Sequence, residues 1–122
     1  MIINNERFMH PNLNYRNGSQ VDADNLEKVF LPLGFEVKIH KNLKKAEMEK
    51  ELELFASQTK YSDMIILIVL SHGENGKIQC QDYFPTSDKK SDVAGDGEVS
   101  IFSYSLSEYQ CCRFIRFLWN GY

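Results

Sequence analysis

Met64-Ile65-Ile66-Leu67-Ile68-Val69-Leu70-Ser71-His72-Gly73-Glu74-Asn75-Gly76 is the stretch whose reading decides the fold. Its first seven residues are apolar without a break, so neither face offers a wet side. Such a run is too short for a stable helix and far short of the ~20 residues of a membrane helix. It predicts a strand at 64–70 buried on both sides, as in a parallel sheet covered by helices. The six residues that follow are polar and carry two glycines, which predicts a loop at the carboxyl end of that strand.

Working back from this strand, Lys44 to Ser57 reads as a helix with Met48, Leu52 and Phe55 as its apolar stripe. Phe35, Val37 and Ile39 alternate with Glu36 and Lys38 and predict a strand at 35–40. Leu26, Val29, Phe30 and Leu33 lie at helical spacing and predict a helix at 22–33, capped by Asp22 or Asp24 and ended by Pro32 and Gly34. Met1–Ile3 predicts a short strand, Asn4-Asn5 a turn, and Glu6–Gln20 a loop. Strand and helix therefore alternate, which is an α/β pattern with right-handed crossovers.

Forward of the strand, Lys77–Gln81 is a candidate short strand and Pro85–Glu98 a long polar loop. From Ser100 to Tyr122 serines and Arg116 interrupt the aromatic residues. Neither helix nor strand gains a clean buried face there, and weak packing is expected.

Composition narrows the class. The chain has 122 residues, 43% hydrophobic and 25% charged, which is one domain's worth. Net charge is −3 and no long basic run exists, so neither a nucleic-acid nor a membrane partner is expected. Three cysteines, Cys80, Cys111 and Cys112, are too few for a secreted disulfide framework. The histidines, His10, His40 and His72, are not spaced with them as metal ligands, so no metal or cofactor is expected. Met1–Glu6 lacks the basic and apolar regions of a signal peptide, and a cytoplasmic protein is expected.

His72 follows the carboxyl end of the most buried strand, where open α/β sheets bind ligands. Histidine serves there as general base or acid, and the Gly73 N–H could donate to an oxyanion. Arg16, in the first loop, is a natural bidentate receptor for a carboxylate. Position alone leaves both residues open to the plainer reading of loop side chains. As a phosphate cradle, Ser71–Gly76 is poor, because no helix signal follows it.

Longer segments carry more. Ile2-Ile3-Asn4-Asn5 with Phe8, Arg16-Asn17-Gly18, Val21-Asp22-Ala23-Asp24-Asn25-Leu26 and Leu33-Gly34-Phe35-Glu36-Val37 follow one another in order. Asn42-Leu43, Glu47, Phe55 and Ile68–Gly76 continue the series. Together, over about residues 1–82, they resemble the large (p20) subunit of the caspases, the aspartate-specific cysteine proteases. The resemblance is to an executioner-like chain without prodomain or small (p10) subunit.

The resemblance implies a three-layer α/β/α fold with a mainly parallel sheet, incomplete on its C-terminal side. The first strand would lie between the other two. It implies His72 as catalytic histidine, Gly73 as oxyanion-hole residue and Arg16 as receptor of the substrate aspartate. Protein substrates with aspartate at the cleavage site follow, and possible partners are a p10-containing caspase chain or a full-length caspase. The domains expected are 1–84 for the core, 85–98 for a polar loop and 99–122 for a divergent tail.

The nucleophile is where the pattern departs. The family box is Gln-Ala-Cys-(Arg/Gln/Gly)-Gly. Here Gln110-Cys111-Cys112-Arg113-Phe114 has Cys111 for Ala and Phe114 for Gly. Its distance from the histidine, 112 − 72 = 40 residues, compares with about 50. Two readings stand: Cys112 is a diverged nucleophile, or Val99–Tyr122 is replaced sequence and the match is chance. Activity of the chain alone is therefore doubtful, and an inactive homologue that binds caspases as regulator or decoy is the alternative. Lys44 replaces the family's capping Thr, an expected loss of about 1 kcal/mol at the second helix.

Overall fold

The computed structural model describes residues 1–58, 64–74, 77–84 and 98–100. Three parallel strands form the central sheet: β1 (Ile2–Asn4), β2 (Ile39–Lys41) and β3 (Ile68–Leu70). Their order is β2-β1-β3, with Ile2 opposite both Ile39 and Ile68. The first strand thus lies in the middle, as expected.

Successive side chains of a strand point to opposite faces, and β1 and β3 bury both. Ile2, Ile68 and Leu70 pack with Ala23 of α1 (Ser19–Phe30) on one face. Met1, Ile3, Leu67 and Val69 pack with Met48 and Leu52 of α2 (Lys45–Gln58) on the other. This is the helix–sheet–helix layering that an apolar run without a wet face requires. No helix among the described residues is long and apolar enough to cross a membrane.

Element bounds differ from the sequence reading for identifiable reasons. The strands expected at 35–40 and 64–70 are paired only at 39–41 and 68–70. Their central partner β1 starts at Ile2, and a ladder cannot outrun its partner. Asn4-Asn5 is not a turn. Asn4 closes β1, and both side chains are fully buried.

Helix α1 begins at Ser19, ahead of both expected caps. Gly18, in the left-handed region at φ 86°, takes the capping position, and Asp22 sits inside the first turn. The buried stripe is Ser19 and Ala23, with Leu26 and Phe30 partly buried behind them. Val29 and Leu33 are 56% and 67% exposed, contrary to the stripe expected. Pro32 and Gly34 end the helix through a 3-10 turn at Leu31–Leu33, with Gly34 at φ 87°.

The start of α2 is capped from a distance. The Lys44 N–H donates to Glu47 Oε2 at 2.9 Å, and the Lys45 N–H donates to Asp82 Oδ1 at 2.8 Å. These carboxylates satisfy the amides of Lys44 and Lys45 and put negative charge at the helix N-terminus; a capping threonine would take those of residues 46 or 47, so the loss expected from Lys44 is offset only in part.

A second, antiparallel sheet joins β4 (Gly73–Glu74), β5 (Lys77–Gln79) and β6 (Glu98–Ser100) in that order. Val99 is 2% exposed and belongs to the α2-side core with Ile78 and Cys80. Weak packing from Ser100 onward is therefore corrected at its first residue, where Ser100 pairs with Lys77. The loop expected at 85–98 is corrected at its last residue, because Glu98 opens β6; residues 85–97 and the sequence from 101, with Cys111 and Cys112, lie outside the described residues. Val99→Ala is expected to lower the unfolding free energy by about 2 kcal/mol, measured by urea denaturation.

The α-amino group of Met1 donates to Ile66 O at 2.9 Å. Burial, with a smaller contribution from Lys38, pushes its pKa from 8.0 to about 6. Between these values the unfolded chain holds more protons than the folded one, so stability rises with pH from 6 to 8. After allowance for its remaining exposure the expected gain is about 1 kcal/mol. Urea midpoints at the two pH values check it, and an N-acetylated chain should lack this component.

Candidate active site

The carboxyl ends of β1 and β3 are joined before the chain leaves them. The Asn5 N–H donates to Leu70 O at 2.8 Å, continuing the ladder by one bond. The Asn5 side chain then spans three segments: Oδ1 accepts from the Leu43 N–H at 2.9 Å, and Nδ2 donates to Gln79 O at 3.4 Å. Ser71 Oγ donates to the same carbonyl at 2.6 Å. This polar knot fixes where the loop after β1 and the loop after β3 depart.

The first of these loops crosses the sheet edge and brings Phe8, Asn14 and Arg16 to it. Its return is held by the Arg16 N–H on Glu6 O at 3.0 Å and the Ser19 N–H on Arg16 O at 3.2 Å. The Arg16 guanidinium is half-buried. Its Nη1 donates to Ser19 Oγ at 2.6 Å and to Asn5 O at 3.5 Å. Burial pushes its pKa down, and the carboxylates of Asp22 and Glu6 oppose that shift. Glu6 Oε2 itself is buried without a hydrogen-bond partner. Neutral oxygens of Ser19 and Asn5 thus help hold the guanidinium at the sheet edge.

His72 lies two residues past β3. Its Nε2 is 2.9 Å from Asn14 O, and its ring packs against Phe8 at 4.9 Å between centroids, tilted by 40°. A carbonyl only accepts, so Nε2 carries the proton and Nδ1 of the neutral ring keeps its lone pair. The ring is thus oriented from two sides by the loop that also carries Arg16.

Gly73 opens β4. The Gln79 N–H donates to His72 O at 2.9 Å, which makes that rung hydrogen-bonded. The next rung, Gly73 opposite Ile78, is then the non-bonded kind, and the Gly73 N–H points away from β5. A donor beside the histidine and outside the ladder is the geometry an oxyanion requires. A side chain cannot be added there without a shift, because a Cβ on Gly73 would collide with the Lys77 carbonyl oxygen.

Arg16, His72 and Gly73, three of the four residues singled out from sequence, therefore sit on one sheet edge, held by shared segments. The fourth, Cys112, lies outside the described residues. Cys80 is fully buried with its sulfur 3.8 Å from that of Met48, which is a packing position. Asn5, Asn14 and Phe8 were not assigned positioning roles in the sequence reading. Only Phe8, an aromatic residue on a polar loop, carried a signal.

The chain has known relatives. A family model for the caspase domain matches residues 1–108. The chain belongs to the caspase family. The caspase match reaches beyond the residues 1–82 that carried the sequence resemblance. Caspase-1 of Spodoptera frugiperda is 36% identical over 105 residues, covering 78% of this chain and 35% of that protein. Caspase drICE of Drosophila melanogaster is 40% identical over 83 residues, covering 67% of this chain and 24% of that protein. The chain thus spans about a third or less of the length of these caspases. The crystal structure of Caspase-1 from Spodoptera frugiperda superposes with a TM-score of 0.72 at 27% identity, over 97% of this chain and 43% of that one.

Proposed function

We propose that this chain supplies the histidine-bearing, large-subunit part of a cysteine endopeptidase that cleaves after aspartate. The observation that carries the reading is the orientation of His72, with Nε2 on Asn14 O and the Gly73 N–H directed out of the ladder beside it. In this reading the Arg16 guanidinium receives the substrate aspartate. A cysteine thiol gives its proton to His72 Nδ1, and the sulfur bonds to the carbonyl carbon. The carbonyl π electrons move to oxygen, where the Gly73 N–H donates. The tetrahedral centre collapses, the C–N bond breaks, and His72 returns the proton to the leaving amine. Water then repeats the sequence on the thioester, with His72 again as base. Residues 1–84 are the proposed core, 85–98 the loop and 99–122 the tail, joined to the core through β6. A cytoplasmic setting and protein substrates are part of the proposal.

The thiol comes from Cys112 or from a partner caspase chain. One observation favours a second role, as an inactive regulator that binds caspases. The string Gln110–Phe114 departs from the family box, and the family match ends at residue 108, before Cys112. A fluorogenic peptide with aspartate before the scissile bond and an aspartate-directed thiol-alkylating probe test these readings together. Turnover with alkylation at Cys112 supports catalysis by this chain. Neither turnover nor alkylation, but capture of an active caspase at micromolar concentration, supports the regulator. Absence of all three contradicts the proposal.

A further inference from the structure

His10 is a buried imidazole that the reaction above does not use. It is 5% exposed, although Met9, Pro11 and Asn12 around it in the chain are exposed. Further along the same loop, the Asn14 carbonyl orients His72.

His10-Pro11-Asn12-Leu13 is a turn, closed by the Leu13 N–H on His10 O at 3.1 Å. Proline at its second position holds φ near the value such a turn needs. Inside the turn the Asn12 N–H donates to His10 Nδ1 at 3.2 Å. In ordinary turns asparagine or aspartate makes this bond, from the first side chain to the N–H two residues on. An N–H donor requires a lone pair on Nδ1, so the His10 ring is neutral with its proton on Nε2.

The turn is clamped to the segment after β5. The Met9 N–H donates to Gln81 O at 2.8 Å, and the His10 ring meets Phe84 edge-on at 5.3 Å between centroids. At the far end of the loop the Arg16 N–H is held on Glu6 O. Between these anchors His10 accepts both bonds of the turn, one on its carbonyl and one on its ring. We propose that His10 is a positioning residue for the site: its Nδ1 fixes the turn that presents Asn14 O to His72 Nε2. The proposal rests on the reading of His72 as catalytic base. In that reading His72 Nδ1 accepts the thiol proton, and the bond to Asn14 O favours the tautomer that leaves Nδ1 open. Loosening the turn lets the His72 proton move to Nδ1, where it blocks that transfer.

Imidazole nitrogen NMR of the full chain reads the His72 tautomer, and hydrogen exchange reads the Asn12 amide. The wild type is expected with the His72 proton on Nε2. His10→Phe keeps a ring against Phe84 but loses the acceptor, and His10→Gln carries its oxygen one bond beyond the place of Nδ1. Both should raise the Nδ1-protonated population of His72 and speed Asn12 exchange by about fivefold or more. His10→Asn loses the ring but sets Oδ1 where Nδ1 was, and should stay within about twofold of wild type on both readouts. Protection of the β1 amides checks that each variant keeps the fold. A wild-type His72 tautomer in both His10→Phe and His10→Gln overturns the proposal. So does an Asn variant that behaves like the Phe variant, since His10 would then act by packing alone. Wild-type His72 protonated on Nδ1 overturns this proposal and the reading of the site together.

Discussion

Asn5→Ala is expected to lower the unfolding free energy by about 3 kcal/mol, the larger part of it from one amide. Asn5 is fully buried, and its Oδ1 is the acceptor for the Leu43 N–H that leads into α2. Alanine leaves that donor without a partner and removes a bond to Gln79 O, which keeps the Ser71 hydroxyl. A small void adds to the cost. Urea denaturation measures it. Asn5→Asp is the informative companion, because it keeps the acceptor but loses the donor and buries a charge. A cost below 1 kcal/mol for alanine would show that the knot between the two site loops is dispensable.

Gly73→Ala is expected to disrupt the β4–β5 pairing and cost about 2–3 kcal/mol, through crowding and not through backbone dihedrals. The added Cβ collides with Lys77 O, a backbone atom that yields by opening the strand pair. Opening it also breaks the bond from the Gln79 N–H to His72 O, so the histidine backbone loses its tether. Hydrogen exchange at Gln79, whose N–H is bonded to His72 O, should accelerate in this variant while β1 amides stay protected. Unchanged exchange at Gln79 would mean that the chain accommodates the methyl group without opening.

How much of this was legible in the sequence differs from residue to residue. The apolar run ending at Leu70 located the sheet and put His72 at its carboxyl edge, because a strand without a wet face has few places to go. Strand ends were not legible, since they depend on how far β1 extends and not on 35–40 or 64–70 themselves. The face of α1 was misread because Val29 and Leu33 keep helical spacing with Leu26. The true contact is made by Ser19 and Ala23, which are small enough for the helix to approach the sheet. The β4–β5 pairing carried a usable signal in Asn75-Gly76, the dipeptide that favours two-residue hairpins. Asp82 capping α2 and Asn14 orienting His72 were out of reach. The first is a contact across 37 residues, and the second is a backbone carbonyl, a group every residue possesses.

The central claim is that the carboxyl edge of the parallel sheet recognises aspartate through Arg16 beside an oriented His72. Chemical-shift mapping of the Arg16 guanidinium and the His72 ring, during titration with a short acetylated peptide amide containing one aspartate, tests it without requiring a nucleophile. The account predicts saturable shifts at both groups. Replacing aspartate by asparagine, or Arg16 by Ala, should weaken them about tenfold or more, as expected for loss of a charge-assisted pair. Equal shifts with the aspartate and asparagine peptides, or shifts that leave Arg16 and His72 unmoved, would contradict it.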